Sequence, residues 1–305
     1  MPWQQKKART RSDTIPQIGT DNRKETVVGD LSDFTKAIYS KLSSDIIPEI
    51  QRVTIPIYGL QDGQVKLCRT GVLYRVAGYH FILTASHELR RTVEAGIPLC
   101  VLPNEDDPEG PIVPLIAKFH TTEEDGRDVA AVRLTDEVAK QIAPYKSFIQ
   151  NDRIASFGRP PNGLHYFFGY PQELFGRASA GTIRSNPLGV LCTEYVGDKI
   201  NIDDYLPKVH VLLEFEREGI SLKDSSELQP PKPHGISGCG IWRICDFTRE
   251  GVEKCGADDL RLVALEHSWS PGRYVRGTRI EYALQLIVEK YPELKRSMNI
   301  AYPPP

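Results

Sequence analysis

The sequence has no apolar run approaching the roughly 18 residues that a membrane-crossing helix requires. Its first residues also lack the apolar core of a secretory signal, so a cytoplasmic protein with no membrane partner is expected. Charge of one sign is scarce as well. With 38 basic and 40 acidic residues the formal charge is −2, which gives no global attraction to nucleic acid. The one basic cluster, QQKKARTR near the start, reads as part of a solvated, disordered tail over residues 1–30. The six cysteines include no C-x-x-C pair and no neighbouring histidine at zinc-site spacing, so no metal and no cofactor is expected. Reduced, mostly buried thiols are the expectation, with Cys239 set apart because it lies next but one to Ser237.

What is present is a chain of 305 residues, 40% hydrophobic, long enough for one large core or two smaller ones. In residues 31–50, Phe34, Ile38, Leu42, Ile46 and Ile50 recur at helical spacing after the cap candidate Asp30, which predicts an amphipathic N-terminal helix. From residue 51 to 277 the texture changes to short β-rich runs such as VTIPIYGL, YHFILTA, DVAAVRL, KVHVLLEFE and RLVALEHSW, separated by Gly, Pro and Asp. Many short strands with turn signals between them argue for an all-β barrel or sandwich. Residues 278–305 carry a second amphipathic stripe, Ile280, Ala283, Leu284, Ile287 and Val288, and end in a Pro-rich tail.

The segment PHGISGCGIW sets Ser237 among glycines ahead of an apolar run. Gly and Ser are also what tight turns use, so the segment alone does not decide between a nucleophile and a turn. A serine attacks at neutral pH only when a histidine takes its proton and a carboxylate orients that histidine. His87 follows the apolar run FILTAS, and Asp128 opens the buried run DVAAVRL, where an isolated carboxylate is costly to desolvate. Each has a plain structural reading alone: a satisfied histidine and a strand-capping aspartate.

Together these stretches resemble the trypsin and chymotrypsin-like serine peptidases. LTASHEL is similar to that family's T-A-x-H stretch, DVAAVRL to its D-[IL]-A-[LV]-[LV]-[RK]-L strand, GISGCG to its G-D-S-G-G-P turn, and HSWSPGRYVRGT to its S-W-G and P-G-x-Y-x-R-x-T segments. The resemblance covers residues 50–295 and implies two six-stranded-type antiparallel β-barrels. His87 and Asp128 would belong to the first barrel (51–150) and Ser237 to the second (151–277).

It further implies a serine endopeptidase, with Ser237 as nucleophile, His87 as base and then acid, Asp128 as orienter, and the backbone N–H groups of Gly235 and Ser237 as oxyanion site. Ser268 would donate to Asp128 from behind, and the backbone of Ser268, Trp269 and Ser270 would offer an edge to an extended polypeptide substrate. Ile236 stands where many secreted members carry the Asp that receives a freshly cut N-terminus, so activation by that cleavage is not expected. This places the chain nearer to intracellular bacterial members, some of which resemble defence modules, and allows for a regulatory protein partner.

The implied pocket for the residue before the scissile bond is framed by Pro231, His234, His267, Ser268, Trp269 and Gly272. Pro231 stands where trypsin carries an Asp, so basic residues have no obvious anchor. His267 has two readings: a strand residue packed beneath the barrel, or a donor for an acidic side chain as in glutamate-specific members. An apolar preference is the third possibility, because Gly272 leaves room. Two rival classes remain open. One is an α/β-hydrolase using Ser237, Asp258 or Asp259, and His267; the other is a catalytically silent double barrel acting as a protein-binding platform.

Overall fold

The computed structural model describes residues 38 and 40–298 except 62–63, 105–106, 108–109, 123, 156–162, 180–181, 199–201, 216–218, 221–226, 229–230, 246–253, 255 and 271. The basic stretch near the start, Asp30, Phe34, Cys255 and the Pro-rich end lie outside the described residues.

A π-helical turn, Leu42–Ile46, leads into helix α1, Ile47–Val53. Pro48 accounts for the wide turn. It has no N–H to donate and its ring would meet the carbonyl of Ser44, so the backbone opens and Ile47 N–H bonds to Leu42 O. The predicted stripe is buried at Ile38, Leu42, Ile46 and Ile50, and the helix continues to Val53 rather than stopping at Ile50. Its apolar face meets Leu164, Leu191, Ile244 and Cys245 of the chain itself.

The first sheet contains β1 (Thr54–Gln61), β2 (Gln64–Val76), β3 (Tyr79–Thr84), β4 (Leu99–Val101), β5 (Val113–Pro114), β6 (Ala117–Thr122) and β7 (Val129–Leu134). Their order is β5-β4-β1-β2-β3-β7-β6, antiparallel throughout. Only Leu115 and Ile116 separate β5 at one edge from β6 at the other, so this segment carries the sheet around on itself. Ile55, Ile57, Leu73, Ile82, Val101 and Val132 fill the interior. Burying each such side chain contributes roughly 1.5–3 kcal/mol. Helix α2 (His87–Glu94) follows β3, and α3 (Asp136–Ile142) follows β7. The sequence reading did not include α3; its signal is Thr135, whose side chain caps it by accepting from Val138 N–H.

The second half contains β8 (Leu164–Gly169), the hairpin β9 (Phe175–Ser179) and β10 (Thr182–Ser185), β11 (Leu188–Cys192), β12 (His210–Phe215), the short pair β13 (Gly219–Ile220) and β14 (Glu227–Leu228), β15 (Gly240–Cys245), β16 (Arg261–Ser270) and β17 (Arg273–Arg279). Six of these form the antiparallel sheet β11-β8-β15-β16-β17-β12. Its edges also meet: Tyr195 N–H donates to Leu212 O and Glu214 N–H to Thr193 O, joining the continuation of β11 to β12. The architecture is a chymotrypsin-like double barrel with few helices. The strand pairing of both sheets is antiparallel, which removes the α/β-hydrolase alternative.

Helix α4 (Ile280–Lys290) buries Ile280, Ala283, Leu284, Ile287 and Val288 and packs on β6, β7, β16 and β17, tying the two barrels together. Among the described residues, no helix is long and apolar enough to cross a membrane.

Candidate active site

Strand register brings the first two candidate residues together. β3 and β7 pair Thr84 with Ala130, so the residues just past the end of β3 meet the residue just before β7. Asp128 Oδ1 accepts from the backbone N–H groups of Ser86 at 2.7 Å and His87 at 2.9 Å, while Oδ2 lies 2.5 Å from His87 Nδ1. Burial pushes Asp128 upward, but the hydrogen bond from His87, with that ring's own charge, outweighs it and holds the carboxyl below its usual range. The bond to Asp128 raises His87 above its ordinary value against the opposing effect of burial. The carboxylate keeps the imidazole proton on Nδ1, which leaves Nε2 as the atom that can accept one.

The serine turn comes to this pair from the second barrel. Thr70 N–H donates to Ser237 O at 3.1 Å, and Thr70 Oγ1 donates to Gly235 O at 3.2 Å. Gly235 and Gly238 flank the turn with φ of 91° and 90°, a backbone region that side-chain-bearing residues rarely enter. At Gly238 space also forbids a side chain: a Cβ would lie 1.9 Å from Thr84 Oγ1 and 2.4 Å from Thr70 O. The turn therefore rests on the end of β3, just before His87. Ile236 anchors it from below, fully buried in an apolar cluster with Phe167, Val211 and Ile241.

Among the described residues, the N–H groups of Gly235 and Ser237 donate to no backbone acceptor. No hydrogen bond joins Ser237 Oγ to His87 Nε2 in this arrangement. Cys239 is fully buried, and burial raises its thiol well above its ordinary value, in keeping with the buried thiols the sequence leads one to expect.

Two expectations change at β16. Ser268 does not reach Asp128; its Oγ accepts from Arg276 Nε at 2.9 Å. The place behind the aspartate belongs to His267, whose Nδ1 lies 3.7 Å from Asp128 Oδ2. His267 is buried, and desolvation lowers its pKa to about 3, so the ring is neutral. With His87, Asp128, His210 and Arg276 it lines a cavity of about 540 Å³ that neither His234 nor Trp269 lines. Of the two readings of His267, the packed strand residue is the one this geometry matches.

The other pocket candidates cluster on the far side. His234 is exposed, its ring edge-on to Trp269 at 5.6 Å, and Pro231 is half-buried beside this segment. Gly272, with φ of 66°, lies in the turn between β16 and β17, and Ser270 pairs with Tyr274 across that turn. β15 pairs with β16 only as far as Gly240 opposite Leu265. Ser268, Trp269 and Ser270 therefore pair with β17 on one side and present their other edge unpaired by any described strand.

Three residues went unnoticed in the sequence. Thr70 organises the serine turn, and its Oγ1 also accepts from Tyr170 N–H at 2.9 Å. His210 Nδ1 accepts from Leu206 N–H and its Nε2 faces Gly126 O at 2.9 Å, which fixes a neutral ring beside His267. Glu266 is fully buried below the serine turn. No local pattern marks any of them. Among the described residues, no group of His, Cys, Asp and Glu could hold a metal ion.

No family model matches the sequence, and no curated protein does. Among solved structures, an inactivated protease paralogue of the scabies mite, SMIPP-S-I1, is similar at 15% identity and a TM-score of 0.46, over 79% of this chain and 97% of that one.

Proposed function

We propose that this chain is a serine endopeptidase that hydrolyses polypeptide through an acyl-enzyme. The observation that carries the reading is the Asp128–His87 pair, assembled with the correct imidazole tautomer at the point where the Gly235–Gly238 turn docks Ser237 onto the first barrel. A substrate would add as a strand along Ser268, Trp269 and Ser270. Ser237 Oγ would then attack the carbonyl carbon while His87 Nε2 takes its proton. The backbone N–H groups of Gly235 and Ser237 would hold the oxyanion, and His87 would return the proton to the leaving amine. Water would repeat the sequence to release the acyl group. Asp128 stays ionised and stabilises the imidazolium, with the neutral His267 ring closing it off from behind. The acidic-residue preference tied to His267 is not part of this proposal, because that ring faces Asp128.

A fluorophosphonate probe tests the reading, since labelling requires an activated serine. Labelling of the full chain at Ser237, absent from Ser237→Ala, is the expected result. A cleavage-site profile from a denatured proteome digest, with the same variant as control, would then define the preferred residues. The alternative is a silent double barrel serving as a binding platform. The unmade bond between Ser237 and His87 is the observation in its favour, and an unlabelled wild-type protein would be its signature.

A further inference from the structure

The loop that delivers Asp128 to His87 is held from the other half of the molecule. Just ahead of Asp128, Asp125 and Gly126 have positive φ, 53° and 74°. Two left-handed residues in succession are unfavourable unless surrounding contacts impose them. Three such contacts come from beyond the first barrel. His210 Nε2 lies 2.9 Å from Gly126 O, the Arg127 guanidinium sits 4.9 Å over the Tyr282 ring, and Asp128 N–H donates to Thr278 Oγ1 at 3.2 Å. His210 and Thr278 face each other in the pairing of β12 with β17, and both are buried. One cross-strand pair therefore receives Gly126 and Asp128, which stand next but one to each other in the loop.

The His210 ring is set for this contact. Leu206 N–H donates to its Nδ1 at 3.0 Å; an amide N–H only donates, so the ring proton is on Nε2 and is given to Gly126 O. Burial lowers the ring's pKa, in keeping with that neutral form. The fit is close, since a Cβ on Gly126 would lie 2.9 Å from Leu206 Cδ1.

We propose that His210 is a positioning residue that, from the second barrel, fixes the loop carrying Asp128 and through it the His87 imidazole. The two halves then hold each other's candidate residues. Thr70 of the first barrel docks the serine turn, and His210 with Thr278 docks the aspartate loop. As an account of catalysis, the inference rests on the hydrolytic reading above.

The test uses full-length wild type, His210→Gln and His210→Asn, with Ser237→Ala as blank, and measures rates of fluorophosphonate labelling. In that step the Ser237 oxygen–phosphorus bond forms, fluoride leaves and His87 takes the hydroxyl proton, so the rate reports on a correctly held imidazole. The two variants separate the two bonds of the ring. Glutamine places an amide N–H where Nε2 stands and keeps the bond to Gly126; asparagine places its carbonyl where Nδ1 stands and keeps only the bond from Leu206. Asparagine should label about two- to tenfold more slowly, the factor equivalent to one hydrogen bond's net worth, and glutamine should fall between it and wild type.

Two magnetic-resonance measurements need no activity. The low-field proton resonance that disappears in His87→Ala, from the bond between His87 and Asp128, should broaden or move upfield in His210→Asn and persist in His210→Gln. Nitrogen shifts of wild-type His210 should place its proton on Nε2. A proton found on Nδ1 overturns the clasp even if neither variant folds. A wild type that labels while folded glutamine and asparagine variants label at equal rates overturns the positioning role and leaves the hydrolytic reading intact. A resonance altered only by asparagine, in a protein of which no form is labelled, sustains the clasp on Asp128 and overturns the hydrolytic reading.

Discussion

The two sides of the cleft are finished to different degrees. On the first-barrel side every oxygen of Asp128 is engaged: two backbone N–H groups on one, His87 on the other, and His267 behind. On the second-barrel side the serine turn is anchored through its backbone, yet Ser237 is not bonded to His87, and the buried Glu266, whose backbone bonds to the turn, has no hydrogen-bond partner for either carboxyl oxygen among the described residues. A base held by a satisfied network needs no rearrangement before reaction. A nucleophile on a docked turn can still choose its partner. On the proposed hydrolytic reading, the contrast would put any control of the reaction on the second barrel.

The comparison breaks most severely if its two halves are not one reaction. Ser237→Ala and His87→Ala should each reduce peptide hydrolysis by roughly 10⁶ in kcat while the fold survives. Near-native turnover by either purified variant, measured with a contaminant control, would show that the halves act separately. Asp128→Asn should cost about 10⁴ by admitting the wrong tautomer. It should also lower the acid limb of the pH–rate profile. In the wild type, the raised His87 keeps its proton above its ordinary pKa, so activity should climb only as pH rises through that elevated value.

The docking of the turn is sharpened by Gly238→Ala. A Cβ there meets Thr84 Oγ1 and Thr70 O at a φ of 90°, and the combined strain should cut activity by roughly 10²–10³ with the barrels still folded. Circular dichroism beside kinetics separates undocking from unfolding. The smallest effect concerns stability. Burial lowers His165 to about 4, so its neutral form is favoured in the fold. The stability this contributes is present above the unfolded value near 6.5 and is lost as pH falls toward 4. Acidification from pH 7 to 4.5 should cost roughly 2–3 kcal/mol at this residue. Denaturant midpoints for wild type and His165→Phe across that range check it: the variant should lose less.

Much of the arrangement was legible in residues alone. The stripes Ile38 to Ile50 and Ile280 to Val288 are buried as their spacing indicates, and the β-rich texture between them folds into two antiparallel sheets. The chain order His87, Asp128, Ser237 and the glycines around the serine were readable because each obeys a local rule: a strand end, a strand start, a turn with positive φ. The N-terminal helix illustrates the limit. Its apolar face could be counted from the sequence, but that it closes on Leu164, Ile244 and Cys245 of the second barrel could not.

The sequence by itself determined where strands, helices and the glycine turn form, because those depend on hydrophobic period and backbone freedom within a few residues. Tertiary structure alone decided which side chain stands behind Asp128 and which is sealed under Ser237. The reason is the register shift in β16 between Glu266 and Ser268. Side chains along a strand alternate faces, and a bulge resets that alternation for every residue beyond it. With the shift, His267 and not Ser268 meets Asp128, and Glu266 is buried beneath the serine turn. A pairing set by β17 across the sheet is invisible to the order of letters in β16.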